Sequence, residues 1–523
     1  MKFPAKLSVY LCVLPALSLS AIATAESEYE QWLKKTRGDF QTYLDENDKA
    51  FIQFLQQKWQ PVDVKPAEQR DPKPKPVDLP EIPASAKPDA KPAVDDTPKV
   101  VLPKLPPVAE VPAPKPPAPE LIKPPLAKPP LTKPPVDDKP GAEKPTLDKP
   151  VAEKPAKKPP VSGPVARFGF YGNAIEIPYN AKFKRNFSGK INNEKIASYW
   201  QQLASAEHKP TVQALQAEAQ RLGLNDWGSA QLFDQFARAL HKDSTSRKLT
   251  SWFLLVKAGY DARVAYNDKV HLLLTSEQEM FGVTFFRLGN KKYYAINLNE
   301  KALKPGKVFT YEGQHDEGSR ALDFSQPNRF AIGGSEEQRQ LKFKYRDQSY
   351  SIKVAYPQRF VSYFSSYPQL SLPNYFKAGL PAVTSESLLN QLRPVVAGKS
   401  EQEAVNHLLR FVQTAFAYQT DDEQFHEENY LFPLETLHYP YSDCEDRAAL
   451  FAWLTESLLG LDVVILDFPG HVATAVAFNG GVQGDNWSWQ GKRYTIADPT
   501  YVNADAGMTM PQFAGVKPKI MAF

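Results

Sequence analysis

Proline constrains this chain more than any other residue. Of its 48 prolines, 31 fall between Pro61 and Pro164, and no aromatic residue occurs between Trp59 and Phe168. Lys-Pro and Pro-Pro pairs with alanine dominate the stretch, and acids nearly balance bases. Proline lacks the N–H that helices and sheet ladders require. Without aromatics, such a segment cannot bury enough apolar surface to offset its ordering entropy. The composition predicts a disordered Pro/Lys/Ala-rich linker over residues 61–165. At about 3.1 Å per residue it could reach on the order of 300 Å. Folded material must begin after it, near Phe168.

The first 25 residues read as a secretory signal: Lys2 and Lys6, an apolar run over 7–22, then Ala23-Thr24-Ala25. The run is short for a membrane span and contains Pro15. Export to the periplasm is the expectation. Cys12 lies inside the signal, so cleavage leaves Cys444 as a lone thiol and no intrachain disulfide can form. Residues 26–60 carry an eleven-residue repeat, Tyr29-x-x-Trp32-Leu33, Phe40-x-x-Tyr43-Leu44 and Phe51-x-x-Phe54-Leu55. Eleven residues are almost three helical turns, so these clusters share one face of an amphipathic helix. Such a stripe needs a partner: self-association as a coiled coil, docking on an envelope protein, or a membrane surface. The polar face mixes Lys34, Lys35 and Arg37 with Asp39, Asp45 and Glu46, unlike a strongly cationic lipid-binding helix. Net charge is +4 with a pI near 8.6, which demands no nucleic-acid partner. No cofactor motif stands out.

An α+β region is expected over 166–300, with two helical patterns, the second closing at 244–258, and strands at 262–266, 270–274 and 293–297. Residues 301–383 read as β-rich, with a hairpin pairing 341–345 and 350–355. A third folded region spans 384–523. Its first helix opens at Ser400-x-x-Glu403, a capping-box pattern, and carries Val405, Leu408, Leu409, Val412 and Phe416 on one face.

Within that third region, Ser442 and Asp443 are natural cap residues just before Cys444. Leu450, Trp453, Leu454 and Leu458 recur behind it at helical spacing, and Gly460 ends the run. Cys444 is thus expected at a helix N-terminus, where backbone N–H groups favour a thiolate and lower its pKa. Residues 463–466 read as a buried strand and Pro469-Gly470 as a turn. His471 opens an alternating strand whose neighbours on one face are Ala473, Ala475 and Ala477. A loop over 479–491 leads to a strand at 493–498 that Pro499 cuts short, leaving Asp498 at its end. A nucleophile, a base and an orienting acid therefore follow one another on three elements. One Cys and one His lack companions at zinc spacing, and the acidic run 421–428 lacks a calcium-loop pattern. It reads as a solvated connection, and no metal is expected.

Residues 440–501 resemble the transglutaminase-like superfamily. The matches are Asp443-Cys444-Glu445-Asp446, His471-Val472 and Asp498-Pro499-Thr500, while Ser442 stands where a glycine often precedes the Asp-Cys pair. The resemblance implies a papain-like core, with the cysteine helix packed on an antiparallel sheet and a Cys444, His471, Asp498 triad. It also implies cysteine acyl transfer through a thioester. Hydrolysis of peptide or isopeptide amides is the first expectation, protein crosslinking the second, and a non-catalytic envelope binding or scaffold protein the third. Papain-type sites add a side-chain oxyanion donor upstream of the cysteine, for which Gln424, His438 and Tyr441 are candidates. Trp487 and Trp489 could line a cleft or pack as hairpin aromatics.

Shifted by 200 residues, Asp243, Ser244, Arg247, Leu254, His271, Tyr294 and Ile296 fall under Asp443, Cys444, Arg447, Leu454, His471, Tyr494 and Ile496. Leu298 falls under Asp498. Residues 166–300 are therefore read as a degenerate second copy that keeps a helix-and-strand plan without the thiol.

Overall fold

Two segments in which a buried helix is followed by short apolar strands organise the chain. The computed structural model describes residues 46–68, 96–102, 163–299, 306–325 and 335–523. The signal segment, the first two aromatic repeats and most of the proline-rich stretch lie outside the described residues. The architecture is mixed α and β with antiparallel sheets.

Upstream, four helices (Asn193–Ala204, Lys209–Leu222, Asp226–Leu240 and Ser244–Lys257) stand where two patterns were expected. The last packs on a six-stranded sheet ordered Gln60–Val62, Val308–Thr310, Ala262–Tyr266, Val270–Leu274, Lys291–Ile296 and Phe285–Leu288. Downstream, the helix Cys444–Leu459 packs on a five-stranded sheet. Its order is Lys519–Met521, Val463–Phe468, His471–Val476, Lys492–Ala497 and Asn486–Trp489. From Val308–Thr310 onward the first sheet has the same connectivity as the second. Each runs helix, central hairpin, outer hairpin, then a late strand returning beside the first. Ser244 opens its helix as Cys444 does, but Ser244 is exposed. His271 faces Asn267 at 3.0 Å, and Leu298 is buried where the downstream module has Asp498.

Between the modules, Glu336–Tyr345 and Gln348–Pro357 form the expected hairpin, longer at both ends, with Leu341 opposite Ile352 and Phe343 opposite Tyr350. Its inward residues alternate with exposed Lys342, Lys344 and Lys353, as a one-faced sheet requires. That face packs on Ala382–Val396 and Glu401–Ala415.

The linker expectation needs correction at its described pieces, the last of which ends at Val165, the first residue of the strand Val165–Phe170. Gln60–Val62 is the outermost strand of the first sheet, where Pro61 is tolerated because an edge leaves its missing N–H unneeded. Residues 96–102 dock on the downstream module: Glu401 N donates to Pro98 O at 2.9 Å, Val100 N to Lys399 O at 2.9 Å, and Gln402 N to Thr97 Oγ1 at 3.1 Å. The third aromatic repeat lies on a helix over 46–55 whose Phe51 and Leu55 are buried by the chain itself, Phe51 against Trp200, Tyr311 and His315. Among the described residues, that stripe is covered internally. The expected signal and the first two repeats lie outside them. No described helix is long and apolar enough to cross a membrane.

Candidate active site

The helix Cys444–Leu459 starts where expected, with Asp443 in extended conformation as its cap, and ends at Gly460 in the left-handed region (φ 67°). It is buried on almost every side, because it lies between the sheet and the helices Glu401–Ala415 and Pro433–His438. Arg447, one turn after the cysteine and 1% exposed, anchors that start. Its guanidinium donates to Ser442 Oγ (3.2 Å), Phe416 O (2.9 Å) and Gln413 O (3.4 Å). These contacts hold a short parallel pairing in which Ala417 meets Tyr441 and Tyr418 meets Ser442.

His471 is the first residue of its strand, after the turn made by Gly470 (φ 80°). Its Nε2 meets Asp498 Oδ2 at 2.8 Å. Asp498 follows directly on Lys492–Ala497, and its other oxygen accepts from Thr500 N (2.9 Å) and Tyr501 N (3.2 Å). Gln413 Nε2 donates to the carbonyls of Asp498 and Ala504, both at 3.0 Å, so the helix Glu401–Ala415 fixes the acid's loop. Phe513 stacks on the imidazole, with centroids 5.0 Å apart and planes at 12°. The nucleophile candidate sits beside this pair: Val472 N donates to Cys444 Sγ at 3.4 Å. The thiol itself donates to Glu445 Oε2 at 3.0 Å, and no hydrogen bond joins sulfur to imidazole. Cys444, His471 and Asp498 are 6%, 3% and 2% exposed, which makes the site dry and closed.

That environment overturns the expected thiolate. Burial, then the charges of Glu445 and Asp443 and the bond to Glu445, hold the Cys444 thiol well above its ordinary value, and the Val472 N–H opposes them. Desolvation and like charge outweigh the helix N-terminus here. The acidic run departs from expectation only at its one fully buried acid, Asp421, while Asp422, Glu423 and Glu427 are exposed. Asp421, on the turn Asp421–Gln424, is 4% exposed, and burial with the charges of Asp446 and Glu445 pushes its carboxyl up to about 10. Asp446 is pushed up to about 8 by burial and Glu445, and Glu435 to about 8 by burial. Asp421, Asp443 and Asp446, with Glu445 and Glu428, are the described carboxylates best placed to hold a cation.

The remaining candidates divide. Gln424 is half-buried at the end of the turn Asp421–Gln424. His438 faces Tyr356 OH at 3.1 Å, and Tyr441 is 40% exposed on the outer side of its strand. Trp487 lies on a strand rather than a loop and meets Phe468 at 6.0 Å, one ring removed from His471. Trp489 packs on Tyr494 at 6.2 Å. Cavities of about 390 and 510 Å³, lined by Phe54 and Trp59 and by Gln278 and Lys292 respectively, touch no triad residue. Tyr418 escaped sequence reasoning. Its ring carries the Arg447 guanidinium at 5.3 Å, and its phenol is held well above its ordinary value by burial and by the charge of Cys444. A tyrosine ending an amphipathic helix is ordinary in sequence, and only the parallel pairing with Ser442 brings it to the cysteine.

Comparison with protein-family models, curated proteins and solved structures returned no match.

Proposed function

We propose that this chain is an exported cysteine acyl-transfer enzyme of transglutaminase-like type that hydrolyses peptide or isopeptide amides. One observation carries the reading: the 2.8 Å pair of His471 Nε2 and Asp498, seated at strand ends next to Val472, whose N–H donates to Cys444 Sγ. With Nε2 committed to Asp498, Nδ1 is the nitrogen left to take the thiol proton. Rotation of the sulfur away from Glu445 brings it into play. Sulfur then attacks the amide carbon while His471 receives its proton. The tetrahedral oxyanion collapses, the imidazolium protonates the leaving amine, and a thioester remains. Water attacks the thioester as His471 again takes a proton, releasing the carboxylic acid and the thiol. The Tyr418 phenol, neutral at working pH, supplies the side-chain donor to the oxyanion.

Crosslinking is the second reading, favoured by the dryness of the triad, since excluded water leaves the thioester for an amine. Acylation by p-nitrophenyl acetate separates the two. The full-length chain should form an acetyl adduct on Cys444, visible by mass spectrometry and lost in Cys444→Ala. Hydrolysis predicts that the adduct decays at a rate indifferent to added primary amine. Amine-dependent decay with amide formation would replace it by crosslinking. No adduct above that of free cysteine would leave a non-catalytic envelope protein.

A further inference from the structure

The hairpin of Glu336–Tyr345 and Gln348–Pro357 has two edges, and the chain treats them differently. Along the second strand, side chains of the helix Ala382–Val396 take up the outward backbone groups. Lys353 N donates to Gln391 Oε1 at 2.7 Å, Gln391 Nε2 donates to Lys353 O, and Ala355 N donates to Ser387 Oγ at 3.0 Å. Lys353 stands opposite Gln340, and Ala355 opposite Gln338. In an antiparallel pair, a residue whose N–H and C=O point outward faces one whose groups point outward on the other side. Gln338 and Gln340 therefore present theirs along the opposite edge, and by alternation so do Lys342 and Lys344. Pro357, opposite Glu336, fits the same phase, because the ladder needs no N–H from an outward position. Among the described residues, no hydrogen bond reaches the outward backbone groups of Gln338, Gln340, Lys342 or Lys344.

That edge has a basic face and an apolar one. Gln338, Gln340, Lys342 and Lys344 are exposed on one side, while Leu341, Phe343 and Tyr345 are buried on the other. Lys353 joins the exposed face from the second strand. Acids occur only at its limits, Glu336 at the far end and Asp347 in the turn. A second copy cannot cover the edge by pairing the same strand with itself. Phe343 meets Phe411 at 5.4 Å and Tyr345 meets His407 at 4.3 Å, so the helix Glu401–Ala415 lies beneath this strand. Neighbouring strands are about 4.8 Å apart, whereas packed helices need about 8–10 Å between axes. The two copies' helices would collide. A single extended peptide brings no helix with it.

We infer that the outer edge of Glu336–Tyr345 docks an extended acidic peptide as a third strand. Backbone groups of Gln338, Gln340, Lys342 and Lys344 supply the ladder. Carboxylates on one face of the peptide lie beside Lys342 and Lys344, and its alternate side chains continue the apolar face of Leu341 and Phe343. Nothing in this inference depends on the acyl-transfer reading.

A fluorescein-labelled heptapeptide alternating valine and glutamate, titrated with the full-length chain and followed by anisotropy, tests it. It should bind about tenfold more tightly than the valine–lysine version, which meets the same lysines as like charges. Gln340→Pro deletes one outward N–H and leaves the hairpin's own ladder intact, so binding should fall by about tenfold or more. Should that variant misfold, the exposed pair Lys342→Glu and Lys344→Glu reverses the preference toward the lysine peptide. Equal binding of the two peptides, or none, overturns the proposal, as does undiminished binding of the glutamate peptide in both variants. A dimer seen by ultracentrifugation and dispersed by Gln340→Pro would give the edge to a second copy and overturn it equally.

Discussion

Cys444 lies under two opposed influences. It opens a helix, where backbone N–H groups favour a thiolate, yet burial beside Glu445 and Asp443 favours the neutral thiol more. The group is a thiol donating to Glu445, so the proposed acyl transfer requires His471 as a general base rather than as half of a preformed ion pair. A raised pKa means a smaller deprotonated fraction at every pH below it. Alkylation by iodoacetamide should therefore run slower than for free cysteine near neutral pH and keep climbing beyond about 8.5. A plateau below neutrality would contradict this. Tyr418 has its own test. Tyr418→Phe keeps the ring on Arg447 and removes only the hydroxyl, so acetylation of Cys444 by p-nitrophenyl acetate should fall by about 100-fold. Iodoacetamide, whose reaction forms no oxyanion, should alkylate the variant at an unchanged rate. Equal loss in both assays would mark Tyr418 as structural. The placement of Cys444, His471 and Asp498 was legible because each begins or follows a predictable element. Tyr418 and buried Asp421 were not, since non-local pairing and packing put them there.

At the scale of elements, local chemistry predicted best where a cap and a periodic face agree. Ser400 Oγ accepts from Glu403 N at 3.1 Å, and Val405, Leu408, Leu409 and Val412 are fully buried on the helix it starts. Ser400→Ala should lower stability by about 1 kcal/mol, measured by urea unfolding. A change under about 0.3 kcal/mol would mean that the docked segment 96–102 supplies the cap instead. The strand Asn486–Trp489 was missed because only two apolar residues alternate across four positions at a sheet edge. The helix Asp226–Leu240 contains Gly228, whose close approach to Tyr363 is a tertiary contact that periodicity does not register. Gln60–Val62 looked like linker because composition weighs proline above position, and an edge strand tolerates it.

The whole molecule joins two modules of one connectivity, and the N-terminal piece braces both: the helix over 46–55 and Gln60–Val62 on the first, residues 96–102 on the second. The brace has a charged lock. Asp48 Oδ1 meets Lys257 Nζ at 2.9 Å, Trp200 Nε1 at 3.1 Å and His315 Nε2 at 3.2 Å, with the lysine side chain 1% exposed. Burial raises the Asp48 carboxyl, but the His315 bond and the Lys257 charge outweigh it and bring it down to about 2 from an ordinary 3.8. A depressed carboxyl contributes stability above its unfolded value and loses it as pH falls through the folded one. Here that contribution is about 2 kcal/mol, complete above about pH 5, half lost near pH 3 and mostly gone by about pH 2. Asp48→Asn should cost about 3 kcal/mol at neutral pH, because it leaves the buried Lys257 with only the longer Glu317 ion pair at 3.4 Å. Its urea-unfolding stability should then fall less steeply than the parent's between pH 4 and 2. If the two acid limbs run parallel, Asp48 is not the titrating lock, and the N-terminal piece is held by its apolar face alone.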